Sequence, residues 1–263
     1  MIRSRCFLSL VAALVGAAML GAPGAAKASY SVEVFDDGVL QGGISVIVSA
    51  NSLLFSGSTT HFSITNGSGT SNNPGGPLSS NLSLSSNEQI ASDFGAGGGT
   101  HTIQIVLSQT GFTSPVAGSY VVSSSAGGAM VYAQGTNGSA TQSVASTYQG
   151  FLDNTNTLFG QPAAGATGLQ SASASLSANG TQSLVYTPGT AVNGNAPGGT
   201  PFSITDVLTF AFTIDAGSGQ TTANASATTT ATVVPEPCSL VLALAGVPAL
   251  GIGTWVRRRR QSI

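Results

Sequence analysis

The chain has 263 residues, with 7 basic against 9 acidic side chains and a formal net charge of −2. Only 6% of its residues are charged, against about 25% in an average soluble domain. That excludes the basic field a nucleic-acid partner requires, and two Cys leave no disulfide framework or thiolate metal site.

The charges are also unevenly placed. Arg3, Arg5 and Lys27 sit at one end and Arg257, Arg258, Arg259 and Arg260 at the other, with no Lys or Arg between Lys27 and Arg257. The acids Glu33, Asp36, Asp37, Glu88, Asp93, Asp153, Asp206, Asp215 and Glu236 lie between those flanks. Such asymmetry marks the ends as processing or anchoring segments around an acidic body.

Residues 1–28 read as a secretory signal peptide. Arg3 and Arg5 form a basic start, Cys6 to Leu20 is an uncharged apolar run, and small residues follow. Ala26 and Ala28 fit the −3 and −1 positions of a signal-peptidase site, so cleavage is expected after Ala28; the alternative is a retained anchor. Cys6 precedes the apolar run, badly placed for a lipoprotein acyl acceptor, and leaves with the peptide.

Residues 29–232 read as a single antiparallel β-sandwich of jelly-roll type. Ser and Thr alternate with Val, Ile, Leu, Phe and Ala, which puts one set of side chains on each face of a strand. The predicted strands are Tyr30 to Phe35, Ile44 to Ala50, His61 to Thr65, Leu78 to Leu84, His101 to Ser108 and Ser119 to Ser124, then Ala129 to Ala133, Ser143 to Tyr148, Leu169 to Ala178, Ser183 to Thr187 and Ser203 to Ile214. Turn clusters separate them, among them Asp37-Gly38, Asn66-Gly67-Ser68-Gly69, Asn137-Gly138 and Asn179-Gly180. Ile103, Ile105 and Leu107 form one expected core stripe, and Leu208, Phe210, Phe212 and Ile214 another. The Thr-rich stretch Thr221 to Thr232 is expected to be an edge strand or a flexible stalk. Edge strands invite pairing with other chains, and no Lys guards them here.

The body carries no recognisable catalytic pattern. The two histidines, His61 and His101, are far apart in sequence and fit no zinc-ligand spacing, so both are expected on β surfaces or half-buried faces. Gly67-Ser68-Gly69 and Gly217-Ser218-Gly219 read as turns rather than nucleophile elbows. The only Trp lies in the tail, which leaves no Trp for sugar stacking in the body. With no Lys or Arg, each body carboxylate must be solvated, bonded to hydroxyl and N–H groups, or bound to a cation. No cofactor is required, but calcium prefers such hard oxygen ligands. The best local group for it is Asp153, Asn154 and Asn156 with Thr155, and Asp36-Asp37 is second. The competing reading is an Asx-rich turn capped by its own side chains.

Residues 233–263 read as a sorting segment. Pro235-Glu236-Pro237 precedes an uncharged run, Ser239 to Val256, about 27 Å long as a helix and marginally able to span a bilayer core. Arg257 to Arg260 follow at once and hold that end in the cytoplasm, which leaves the body outside. This order of parts resembles the PEP-CTERM sorting domain of Gram-negative bacteria. The resemblance covers about residues 233–260. It implies recognition by an exosortase-like enzyme, passage through an inner-membrane-anchored intermediate, and delivery to the cell surface, outer membrane or extracellular matrix, where exopolysaccharide is made. Cys238 departs from the pattern, standing where Ser or Ala is usual. The body also resembles a recurring group of secreted PEP-CTERM proteins through Val106 to Pro115, Tyr148 to Gly160 and Pro201 to Phe210, a likeness that brings no activity with it.

The expected function is therefore a non-enzymatic, exported surface or matrix structural protein, with signal peptidase and the sorting enzyme as partners. The alternatives are a carbohydrate-binding or adhesive module, which exposed tyrosines on one face would favour, and a polysaccharide hydrolase, which facing carboxylates in a cleft would favour.

Overall fold

The computed structural model describes residues 28–76, 78–91, 98–114, 118–134, 141–196, 201–215 and 219–234. The segments expected to be a signal peptide (short of Ala28) and a sorting segment (from Pro235 onward) lie outside them, and so do Ala26, Pro235, Glu236, Pro237 and Arg257 to Arg260. No helix among the described residues is long and apolar enough to cross a membrane.

The strands are β1 (Tyr30–Asp36), β2 (Val39–Leu40), β3 (Ile44–Val48), β4 (Ser52–Ser58), β5 (Phe62–Ser71), β6 (Ser79–Ala91) and β7 (Gly99–Phe112). They continue as β8 (Gly118–Gln134), β9 (Gln142–Asp153), β10 (Gln170–Leu176), β11 (Gly180–Leu184), β12 (Val192–Ala196), β13 (Phe202–Ile214) and β14 (Gly219–Val233). Two antiparallel sheets form in a sandwich-like arrangement. One has six strands in the order β10-β9-β13-β7-β1-β2; the other has the order β11-β8-β14-β6-β5-β4-β3, with β12 also paired to β8. From β6 to β9 the chain changes sheet at every step. β13 then inserts between β7 and β9, and β14 between β6 and β8.

Alternation explains the layers. Ile103, Ile105, Leu107, Leu208, Phe210, Phe212 and Ile214 all point inward and are buried, as expected from their period-two spacing. Each contributes about 1.5–3 kcal/mol when removed from water. The Thr-rich stretch is neither an edge nor a stalk. β14 is hydrogen-bonded on both sides, to β6 from Ala91 to Ser79 and to β8 from Gln134 to Tyr120. Its inward residues Ala223, Ala225, Ala227 and Ala231 are buried. Gly150 of β9 lets the sheets approach closely: a Cβ there would run into the Thr229 side chain from the other sheet.

Other elements differ from expectation. β8 is one strand where two were expected, because Gly127 and Gly128 stay in the ladder; a Cβ on Gly128 would collide with the β14 backbone at Asn224. Asn66-Gly67-Ser68-Gly69 lies inside β5 rather than in a turn, at a register shift, and Gly67 leaves space for the Phe55 ring. Asp37-Gly38 is the expected turn, with positive φ at both residues (48° and 80°), the conformation of a tight β-hairpin.

The segments Val106 to Pro115, Tyr148 to Gly160 and Pro201 to Phe210 meet, through their described residues, at one end of the six-stranded sheet. Ser108 of β7 shares its hydroxyl with Thr205 of β13 at 2.9 Å and accepts from the Phe159 N–H at 3.0 Å. Ser203 donates to the Thr157 carbonyl at 2.7 Å, and the Gly111 N–H donates to Asn156 Oδ1 at 2.7 Å.

Candidate functional site

At the other end of β7, four side chains from three separate segments meet. Asp36 closes β1, Asp37 opens the following turn, His61 ends the turn before β5, and His101 lies near the start of β7. The Asp37 N–H donates to the Thr102 carbonyl at 2.8 Å, which ties the turn to β7. β1 and β7 belong to the six-stranded sheet and β5 to the eight-stranded one, so the cluster bridges the two layers.

His61 Nδ1 lies 2.9 Å from Asp36 Oδ1, and the His61 backbone N–H donates to Asp36 Oδ2 at 2.9 Å. His101 Nδ1 lies 2.8 Å from Asp37 Oδ2, and His61 Nδ1 lies 3.5 Å from the same oxygen. Thr102 anchors the other Asp37 oxygen through its N–H at 2.7 Å and its hydroxyl at 3.2 Å. The two imidazoles stack, with centroids 3.9 Å apart and planes 22° from parallel. Behind them lie the buried rings of Phe62 and Phe212, 5.3 Å apart. Burial of Asp36 works against its charge, but hydrogen bonds from Thr59 and His61 outweigh it and hold the carboxyl below the usual range. For Asp37 the same opposition is won by His101 and Thr102, again lowering the carboxyl.

This corrects one expectation: Asp36 and Asp37 are not left to solvent, hydroxyls and N–H groups alone, since each also has an imidazole partner. Both rings are half-buried, as expected, and the fold stacks one on the other. Forty residues separate His61 from His101, and only the pairing of β1 with β7 and the crossing between sheets brings them together. No local motif carries that information.

The calcium group takes a different form. Asp153 accepts from the Thr155 N–H at 2.9 Å, the Thr155 hydroxyl at 2.7 Å and the Thr157 N–H at 3.2 Å. These bonds overcome the effect of burial and lower its carboxyl. Asn154 Oδ1 accepts from the Tyr120 hydroxyl at 3.2 Å, and Asn156 Oδ1 from the Gly111 N–H. The three side chains therefore face three different partners rather than one point, as in an Asx turn.

Two acids lie in the core. Burial pushes Glu88 up to about 8, a rise the Ser86 hydroxyl only partly offsets. Burial likewise pushes Asp206 up to about 7 despite the nearby Thr229 and Tyr148 hydroxyls. Tyr148 donates to Asp206 Oδ1 at 2.8 Å and lies 2.8 Å from the Thr229 hydroxyl. Tyr30, Tyr120, Tyr132, Tyr148 and Tyr186 are all buried. On the outer face of the eight-stranded sheet a shallow open groove is lined by Asn66, Ser85, Asn87, Asn224 and Ser226. Ala28 is exposed and lies against Gly111.

No family model matches the chain, and no curated protein matches it. Among solved structures, that of the infectious bursal disease virus Gx strain is similar at 12% identity over 81% of this chain and 62% of that chain, with a TM-score of 0.19. The T13 particle of the same virus is similar at 11% identity over 58% of this chain and 40% of that chain, with a TM-score of 0.14. The chain thus spans less than two thirds of the length of either, and the superpositions are too poor to assign it their fold.

Proposed function

We infer that the chain is a non-enzymatic, exported cell-surface or extracellular-matrix protein, structural in role, sorted by its PEP-CTERM segment and associated with exopolysaccharide or the envelope. The observation that carries the structural role is the burial of all five tyrosines. A sugar-stacking surface needs exposed aromatic faces, and here those rings build the core instead. Export is supported by the order of parts in the sequence: the signal peptide ending at Ala26 and Ala28, then Pro235, Glu236 and Pro237, the apolar run 239–256 taken as a transmembrane helix, and Arg257 to Arg260. The finer fold we take to be a jelly roll. Its support is the sheet-to-sheet alternation of β6 to β9 and the return of β13 and β14 into the middle of each sheet.

The test is intact-mass analysis and cell fractionation of the native product, with and without the four arginines. The expected product starts at Ser29, lacks the tail and is found at the envelope or outside the cell. A cytosolic product with both ends intact overturns the reading. An adhesive or carbohydrate-binding module is the second reading, favoured by the amide- and hydroxyl-lined groove at Asn66, Asn87 and Asn224. Retention on purified exopolysaccharide that Asn87→Ala and Asn224→Ala abolish would select it.

A further inference from the structure

We propose that Asp37, His61 and His101, with Asp36 beside them, form a binding site for one divalent transition-metal ion of the zinc class, which staples the two sheets together.

The donor set carries this. One ligand atom from each of Asp37, His61 and His101 lies within 4.8 Å of the others. A tetrahedral ion with bonds of about 2.0–2.1 Å holds its ligand atoms roughly 3.3 Å apart. The observed separations from Asp37 Oδ2 are 2.8 Å to His101 Nδ1 and 3.5 Å to His61 Nδ1. Two imidazoles and a carboxylate select zinc, copper or nickel over calcium, which wants six to eight oxygens.

The surroundings prepare it. Thr102 holds Asp37 Oδ1 with two hydrogen bonds, so Oδ2 is the oxygen turned to the rings; outer partners of this kind orient metal ligands. Asp36 Oδ1, 2.9 Å from His61 Nδ1, can supply a fourth bond, while Asp36 Oδ2 is held by the His61 backbone N–H at 2.9 Å. Two carboxylates stand here in a body with no Lys or Arg between residues 27 and 257 to compete for them. An ion lying in the plane of both rings requires the stack to open into a V. Both rings are partly exposed (24% and 22%), so they have room to swing outward.

The experiment uses the full-length, tag-free chain in detergent, stripped with EDTA and titrated with zinc or calcium. The chain has two histidines, so imidazole ¹H–¹⁵N spectra report on the site directly in the unaltered protein. Zinc is expected to bind at one equivalent, to shift both imidazole signal sets together, and to raise Tm by about 5–10 °C at a hundredfold excess over Kd. His101→Ala and Asp37→Asn are expected to weaken binding at least tenfold, with the far-UV spectrum checking that each variant folds. Millimolar calcium is expected to leave the imidazole signals in place. No zinc bound at millimolar concentration, imidazole signals that zinc does not move or that calcium moves as far, or binding that survives in His101→Ala overturns the proposal.

Discussion

The Asp153 turn and the Asp36–Asp37 corner put the same kind of charge at opposite ends of β7 and solve its burial differently. Asp153 is answered within four residues, by the N–H groups of Thr155 and Thr157 and the Thr155 hydroxyl. Asp36 and Asp37 are answered across 25 and 64 residues, by His61 and His101. A carboxylate satisfied by its own turn shapes a loop and has nothing left to offer. A carboxylate satisfied by imidazoles from other strands couples the layers and keeps donors that an ion can take over.

The largest expected effects come from the rings behind the two ends. Phe212 packs on Phe62 behind the histidine corner, and Phe112 stacks on Phe202 at 5.6 Å near the Asp153 turn. Phe212→Ala and Phe112→Ala are each expected to cost about 3–5 kcal/mol, read from the urea midpoint. A much smaller loss at one end would show that end to be loosely packed and would break the symmetry of the comparison.

Next comes the pH dependence set by the core between the ends. Glu88 and Asp206 have carboxyls raised to about 8 and about 7. The folded state therefore holds more protons than the unfolded state between the ordinary carboxylate range and those values. Stability from these groups is fully present below the unfolded pKa and is lost as pH rises through the folded one. Tm is expected to fall by roughly 10–20 °C from pH 5 to pH 8, and Glu88→Gln with Asp206→Asn to flatten the fall. A Tm that rises over that window would sink this account.

Asp153→Ala is expected to cost about 2 kcal/mol, since it strips hydrogen bonds from the N–H groups of the turn. In the metal-free protein Asp37→Asn should cost under about 1 kcal/mol, its side chain being more than a third exposed to screening solvent. Millimolar calcium should leave the wild-type Tm unmoved; a rise that Asp153→Ala removes would mean that the turn reopens around the ion.

The smallest effect on stability concerns the edge of the eight-stranded sheet. β3 leaves Val46, Ile47 and Val48 exposed, with Leu54 beside them. Ile47→Lys is expected to change stability by less than about 0.5 kcal/mol while lowering self-association in sedimentation, because a charge on an edge blocks strand addition.

Much of this was legible in period-two patterning. The inward stripes of β7 and β13, the Asp37-Gly38 hairpin turn and the sandwich arrangement follow from alternation and turn chemistry. β14 carries the same signal in Ala223, Ala225 and Ala227, but its monotony disguises a central strand as a stalk. Alternation says which face a residue takes and leaves open which strand lies next to it, so the stacking of His61 on His101 was out of reach. The Asp153 carboxylate was readable because its hydrogen-bond partners, Thr155 and Thr157, are local, whereas Asn154 and Asn156 reach Tyr120 and Gly111 in other strands.

The position of β14 has a consequence for how the molecule is assembled. In any synthesis or translocation that runs from the N-terminus, β6 and β8 emerge long before the strand that must slot between them. Until β14 is released, β6 and β8 both lack the strand that hydrogen-bonds between them. The last segment before the Pro-Glu-Pro motif thus acts as a closing zip, and a chain cut short of it loses the shared partner of two strands rather than one edge.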